Sequence, residues 1–145
     1  MIRALLVLLL LAAPAHAQDR VSVLVGSAHI GGSGYDGRNP GLFISWDREG
    51  LEWSLGAFRN SYGRGSVAAT VGLPVIRWSR GQATLFAGVA WYPKDGRRFR
   101  AHLGDVVPIG GLQLRHENWF VQIMPSDGRP VRAILSTGVT FPMGR

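Results

Sequence analysis

The chain contains no cysteine. That excludes a disulfide scaffold and thiolate metal centres. Histidine is scarce, with four in 145 residues, and no spacing among them resembles a metal-binding motif. Lysine occurs once, at Lys94, so the net charge of +7 rests on arginine. Beyond the N-terminus no apolar run reaches the roughly 20 residues that a membrane-spanning helix needs. No apolar stripe of helical period is present either. There is no Gly-x-Ser-x-Gly nucleophile elbow, and Gly31-Gly32-Ser33-Gly34 reads as a flexible loop, not a phosphate cradle. No cofactor and no metal are implied.

What the chain does have begins at its first residues. Met1-Ile2-Arg3 is a short basic start, Ala4 to Ala13 is unbroken and apolar, and Pro14 precedes the small-x-small triplet Ala15-His16-Ala17. This is the layout of a cleaved bacterial secretory signal over residues 1–17. A single domain is expected over 18–145. For an exported basic protein, nucleic acid is an unsuitable partner. Phosphorylated membrane lipid suits arginine, whose two-pronged donor geometry fits phosphate.

After the signal the pattern has period two. It is rich in Val, Ile, Leu and aromatics and is cut by Gly, Asp and Asn clusters. Eight strands are expected, at 20–30, 41–48, 51–60, 65–76, 82–92, 106–116, 119–125 and 131–141. Most approach the ~9–11 residues of a tilted transmembrane strand. Tight turns at 48–50 and 116–118, and a short one at 77–81, alternate with longer loops at 31–40, 61–64, 93–105 and 126–130. Short turns on one side and longer loops on the other point to an all-β, eight-stranded, antiparallel up-and-down transmembrane barrel. It would sit as a monomer in an outer membrane, with the longer loops at the cell surface.

The two faces of each strand support that reading. Leu51, Trp53, Leu55 and Ala57 share one face of the third strand, while Glu52, Ser54 and Gly56 share the other. Glu52, Gln113, Arg115 and Gln122 would cluster inside the periplasmic half, with Glu52 and Arg115 as ion-pair partners. A soluble lipocalin-like lipid binder is the alternative architecture, with its apolar faces turned inward.

Candidate chemistry gathers on the loop-side rim. His29 ends the first strand, and Asn60-Ser61 follows the third. A hydroxyl and an imidazole there could form a nucleophile–base or acid–base pair, with Asn60 orienting the imidazole or donating to an oxyanion. One parity problem stands out. Val21, Val23, Val25, Ser27 and His29 alternate together, so His29 faces the lipid unless a bulge near Gly26 shifts the register. Prolines are expected at interruptions of a sheet. Pro108 and Pro125 on the neighbouring sixth and seventh strands suggest one gap in the wall, and Pro40 suggests a second beside the first strand. Arg59, Arg64, Arg97, Arg98 and Arg100, together with Arg38 and Lys94, form a basic rim suited to phosphates.

Several of these residues carry a resemblance. The series Tyr35, Arg38, Pro40, Trp46-Asp47, Gly50, Trp53 and Phe58-Arg59-Asn60-Ser61-Tyr62 is similar to one in the lipid A palmitoyltransferase (PagP) family. Pro108, Phe120, Gln122 and Pro125 resemble that family's later strands. The likeness spans most of residues 29–125. It implies an outer-membrane acyltransferase that moves a fatty acyl chain from phospholipid to lipid A or a related acceptor. His29 and Ser61 take the positions of the family's catalytic His and Ser, and Asn60 stands where the family has Asp. Pro40, Pro108 and Pro125 fall at its lateral lipid gates. A non-catalytic barrel that binds lipid or another surface ligand is the alternative, with Asn60 marking lost chemistry.

Overall fold

The computed structural model describes residues 19–128 and 130–143. The expected export signal at 1–17 lies outside the described residues. Eight antiparallel strands close into a barrel in sequence order: β1 (Arg20–Ile30), β2 (Gly41–Arg48), β3 (Leu51–Arg59), β4 (Gly65–Trp78), β5 (Gly81–Trp91), β6 (Val106–His116), β7 (Trp119–Pro125) and β8 (Ala133–Pro142). Three two-residue turns lie at one end. Glu49 and Gly50 both adopt positive φ, 55° and 81°, which suits the right-handed twist of a tight hairpin. Loops 31–40, 60–64 and 92–105, with residues 126–128 and 130–132, crowd the opposite end.

One boundary moved for a physical reason. β4 runs on to Trp78, past the expected end at 76, and its ladder with β5 slips between Pro74 and Ile76. Pro74 has no N–H to donate, and the extra residue Val75 absorbs the slip. β1, β2, β6 and β7 have the expected bounds, and the remaining ends of β3, β5 and β8 differ by one or two residues, with β8 beginning at Ala133 rather than 131.

The barrel has an apolar outside and a largely polar inside. Val25, Leu42, Leu73, Leu85, Val89, Leu114 and Ile123 are exposed, while Ser45, Glu52, Gln82, Thr84, Ser136 and Thr140 are buried. A soluble barrel has the opposite arrangement, and a lipid-facing barrel requires this one. Trp53, Trp78 and Trp119 add exposed indoles near the tight turns, and Trp91 adds one at the loop end. Indoles favour membrane–water boundaries, where one end can be dry and the other wet.

The turn-side interior is filled by a polar network. Arg115 Nη1 donates to Glu52 Oε2 at 2.9 Å, and Gln82 Nε2 donates to the same oxygen at 3.2 Å. Gln122 Nε2 donates to Gln113 Oε1 at 2.7 Å. All four residues expected to plug this end take part. Toward the loops the filling turns apolar: Ala68, Ala90 and Val107 are buried against Phe43, Phe58, Tyr92, Phe99 and Ile109.

Two ladders stop short of the loop end. Pairing of β1 with β2 ends at Leu24↔Gly41, and pairing of β6 with β7 ends at Leu112↔Ile123. Val106–Gly111 of β6 therefore extends past its last β7 partner, and Pro108 lies in that stretch. Pro125 closes β7 on the other side of the seam. Pro40 immediately precedes β2 at the first seam.

Glu52→Ala leaves the Arg115 guanidinium buried without its carboxylate, and should cost about 3–5 kcal/mol. Glu52→Met with Arg115→Met removes both charges and should recover most of that loss. Urea unfolding in lipid vesicles measures both.

Candidate functional site

The site depends on a β-bulge in β1. Its ladder with β8 pairs Leu24 with Gly138 and then Gly26 with Thr137, so Val25 is an extra residue. Before it, Val23 is exposed and Leu24 is buried. After it, Ala28 and Ile30 are exposed while Ser27 and His29 are partly buried. The alternation has reversed, and His29 turns inward. Glycine permits the crossing. A Cβ on Gly26 would stand 2.8 Å from the Gly37 carbonyl oxygen, and one on Gly37 would stand 2.8 Å from that of Ser27. The 31–40 loop thus lies directly on the bulged strand, and Ser27 N donates to Gly37 O at 2.9 Å.

Ser61 meets His29 across the mouth. Its Oγ lies 2.8 Å from His29 Nε2. The turn that presents Ser61 is built by Asn60, which is buried. Asn60 Oδ1 accepts from the N–H of Tyr62 at 2.9 Å and of Arg64 at 3.0 Å, and Nδ2 donates to Ser66 Oγ at 2.9 Å. Asparagine favours such side chain-to-backbone turns. The structure brings His29 and Ser61 together and directs the Asn60 amide into the turn, away from the imidazole. Tyr35 stacks on the His29 ring at a centroid distance of 4.6 Å, and Tyr62 packs edge-on to Tyr35.

Asn39 is a site residue that sequence reasoning missed. It is 4 % exposed. Its Oδ1 accepts from Ser27 Oγ, and its Nδ2 donates to the Arg59 carbonyl at 3.1 Å and stands 3.5 Å from Ser61 Oγ. The available signal was its place: an amide directly before Pro40, in the loop that follows His29.

Below the pair lies a cavity of about 110 Å³ inside the barrel, several times the space that one water requires. Ser61, Asn39 and Ser27 line its loop end, Phe43, Phe58, Phe86, Ile109 and Met124 line its walls, and Glu52 and Arg115 lie toward the turn-side plug. A groove at the β6 seam runs from Leu73, Leu85 and Pro108 to Tyr92, Ile109, Met124 and Ile134. Ile109, Met124 and Ile134 line both spaces.

The basic rim divides into two sets. Arg64 and Arg98 both bind the buried Asp95 carboxylate, Arg98 at 2.8 Å, and the Arg98 guanidinium lies 4.6 Å over the Tyr62 ring. Arg59 pairs with Asp36 at 3.2 Å. Arg97 and Arg100 enter none of the ion pairs among the described residues and are exposed. Among the described residues, no group of His, Asp and Glu could hold a metal ion. No protein-family model matches the chain, and no curated protein matches it.

Burial pushes the Asp95 carboxyl upward, but hydrogen bonds from Arg64 and Arg98 outweigh burial and hold it below the ordinary range. The tie it makes is therefore complete above the unfolded value of about 3.9 and is lost as pH falls through the depressed one. Protease cleavage within residues 92–105 should rise as the medium is acidified below about pH 4. Asp95→Asn should show high cleavage already at neutral pH.

Proposed function

We propose that the protein is an outer-membrane barrel that moves a fatty acyl chain from a phospholipid to lipid A or a related acceptor. The observation that carries this reading is the Ser61–His29 pair, 2.8 Å apart at the loop-side mouth and above an apolar-walled cavity. His29 acts as general base. Ser61 engages the acyl carbonyl, and the chain lies along Phe43, Phe58, Phe86 and Met124. Residues 1–17 act as the export signal.

The rest of the site is consistent with this chemistry. An ester buried in a bilayer must reach the interior sideways, and the seam at Pro108 and Pro125 offers a passage because ladder pairing stops before it. The seam at Pro40 is partly covered by Gly37 and serves as the second opening. Arg97 and Arg100 are positioned for acceptor phosphates. Arg59, Arg64 and Arg98 first brace the loops through Asp36 and Asp95, so their contribution to binding is shared with a structural one. Asn60 serves by shaping the turn that holds Ser61. A soluble lipid binder fits poorly with a wall whose outer face is Val, Leu, Ile and Trp.

One observation favours a second reading. No carboxylate touches His29 among the described contacts, which suits a barrel that binds lipid without turning it over.

Mass spectrometry of lipid A from cells with and without the protein separates the two readings. Acyl transfer adds the mass of one fatty acyl group, and Ser61→Ala and His29→Ala should abolish the addition while the heat-modifiable gel shift of a folded barrel remains. Unaltered lipid A with wild type, or equal acylation by Ser61→Ala, would rule out the proposed reaction.

A further inference from the structure

We infer that Asn39 is the oxyanion donor of a covalent Ser61 reaction, a step that rests on the acyl-transfer reading above and specifies its chemistry. Three observations lead there. The Asn39 amide is buried and its orientation is set on both sides: Ser27 Oγ donates to Oδ1, and Nδ2 donates to the Arg59 carbonyl at 3.1 Å. That bond uses one of the two Nδ2 hydrogens. The other faces Ser61 Oγ at 3.5 Å, too long for a strong hydrogen bond. A donor held rigidly but bonded weakly in the resting site can shorten its bond when charge develops beside it. Finally, Ser61 and Asn39 both line the cavity inside the barrel, so an ester carbonyl approaching Oγ from within the barrel passes the weakly bonded N–H.

The chemistry balances without an added reactant. His29 Nε2 takes the Ser61 proton as Oγ adds to the ester carbonyl carbon. The carbonyl π pair moves to its oxygen, and Asn39 Nδ2–H donates to that oxyanion. Collapse breaks the bond to the phospholipid alkoxy oxygen, which leaves as the lysophospholipid alcohol with the proton from His29. The acyl group remains on Ser61. An acceptor hydroxyl then gives its proton to His29 and attacks the acyl carbon, and Ser61 leaves and recovers the proton. Asn39 acts on the developing oxyanion, while the Asn60 side chain is engaged by the turn at Tyr62 and Arg64.

The test uses the full barrel in detergent micelles, with a long-chain alkyl fluorophosphonate as the covalent probe and a long-chain p-nitrophenyl ester as the turnover substrate. Peptide mass spectrometry should place the phosphonate on Ser61. Asn39→Ala should lower kcat by about 10²–10³-fold, the usual effect of losing one oxyanion donor, with KM changed little. A merely structural Asn39 would instead lower the urea midpoint or raise KM. Should Asn39→Ala fail to show the heat-modifiable shift, the wild type still decides the matter. Its Asn39 side-chain amide proton should move downfield in the phosphonate adduct. An unmoved amide, a phosphonate on another residue, or an Asn39→Ala kcat equal to wild type would overturn the proposal. Labelled Ser61 in a protein that leaves lipid A unaltered would retain this inference and remove only the acceptor.

Discussion

One extra residue in β1 decides which side of the wall His29 faces. In a strand, side chains alternate strictly, so a shift of one residue exchanges the two faces. With uninterrupted pairing, the valines that face outward would carry His29 outward with them. The bulge at Val25 allows Val23 and Val25 to stay outside while Ser27 and His29 turn in. The same slip makes Ser27 available to Asn39. The contacts that form the site, from the Tyr35 stack to the Ser61 hydrogen bond, lie downstream of it.

The interior is graded along its length. Ionic and amide side chains fill the turn end, where Glu52 and Arg115 satisfy each other. Aromatic and small apolar side chains fill the loop end. The cavity between them therefore has Phe43, Phe58 and Phe86 along its walls and a polar floor at the turn end. The loops above it are held by ties made of charge: Asp95 gathers Arg64 and Arg98, and the Ala101 N–H donates to Asp127 at 2.7 Å, joining two loops across the mouth. The Asp95 tie sits beside the apolar cluster to which Tyr92 and Phe99 of the same loop contribute.

Strand order, closure, and the division into tight turns and long loops were legible because period-two patterning and turn residues are local signals. The Glu52–Arg115 pair was legible because both residues sit opposite apolar faces near the same end. Pro108 and Pro125 marked the seam because a missing N–H has a fixed consequence for a ladder. Other features depend on the closed barrel. The β4 extension past Pro74 requires β5 beside it to show the slip. The role of Asn60 was read from its neighbour Ser61, whereas its hydrogen bonds go to Tyr62, Arg64 and Ser66. Asn39 had no pattern of its own, and its importance comes from two strand ends that meet only on closure. The Asp95 tie joins its loop to Arg64 of the β3–β4 turn, a contact that exists only in the closed barrel.

Because inward placement of His29 supports every later step, the parity of β1 is the quantity to measure. Single cysteines at positions 23, 24, 25, 27, 28, 29 and 30, each carrying a nitroxide in lipid-reconstituted protein, report collision with oxygen dissolved in the hydrocarbon. High oxygen collision is expected at 23 and 25, then at 28 and 30, with low values at 24, 27 and 29. High values at 23, 25, 27 and 29 with low values at 24, 28 and 30 would contradict the bulge, and with it the Ser61–His29 site.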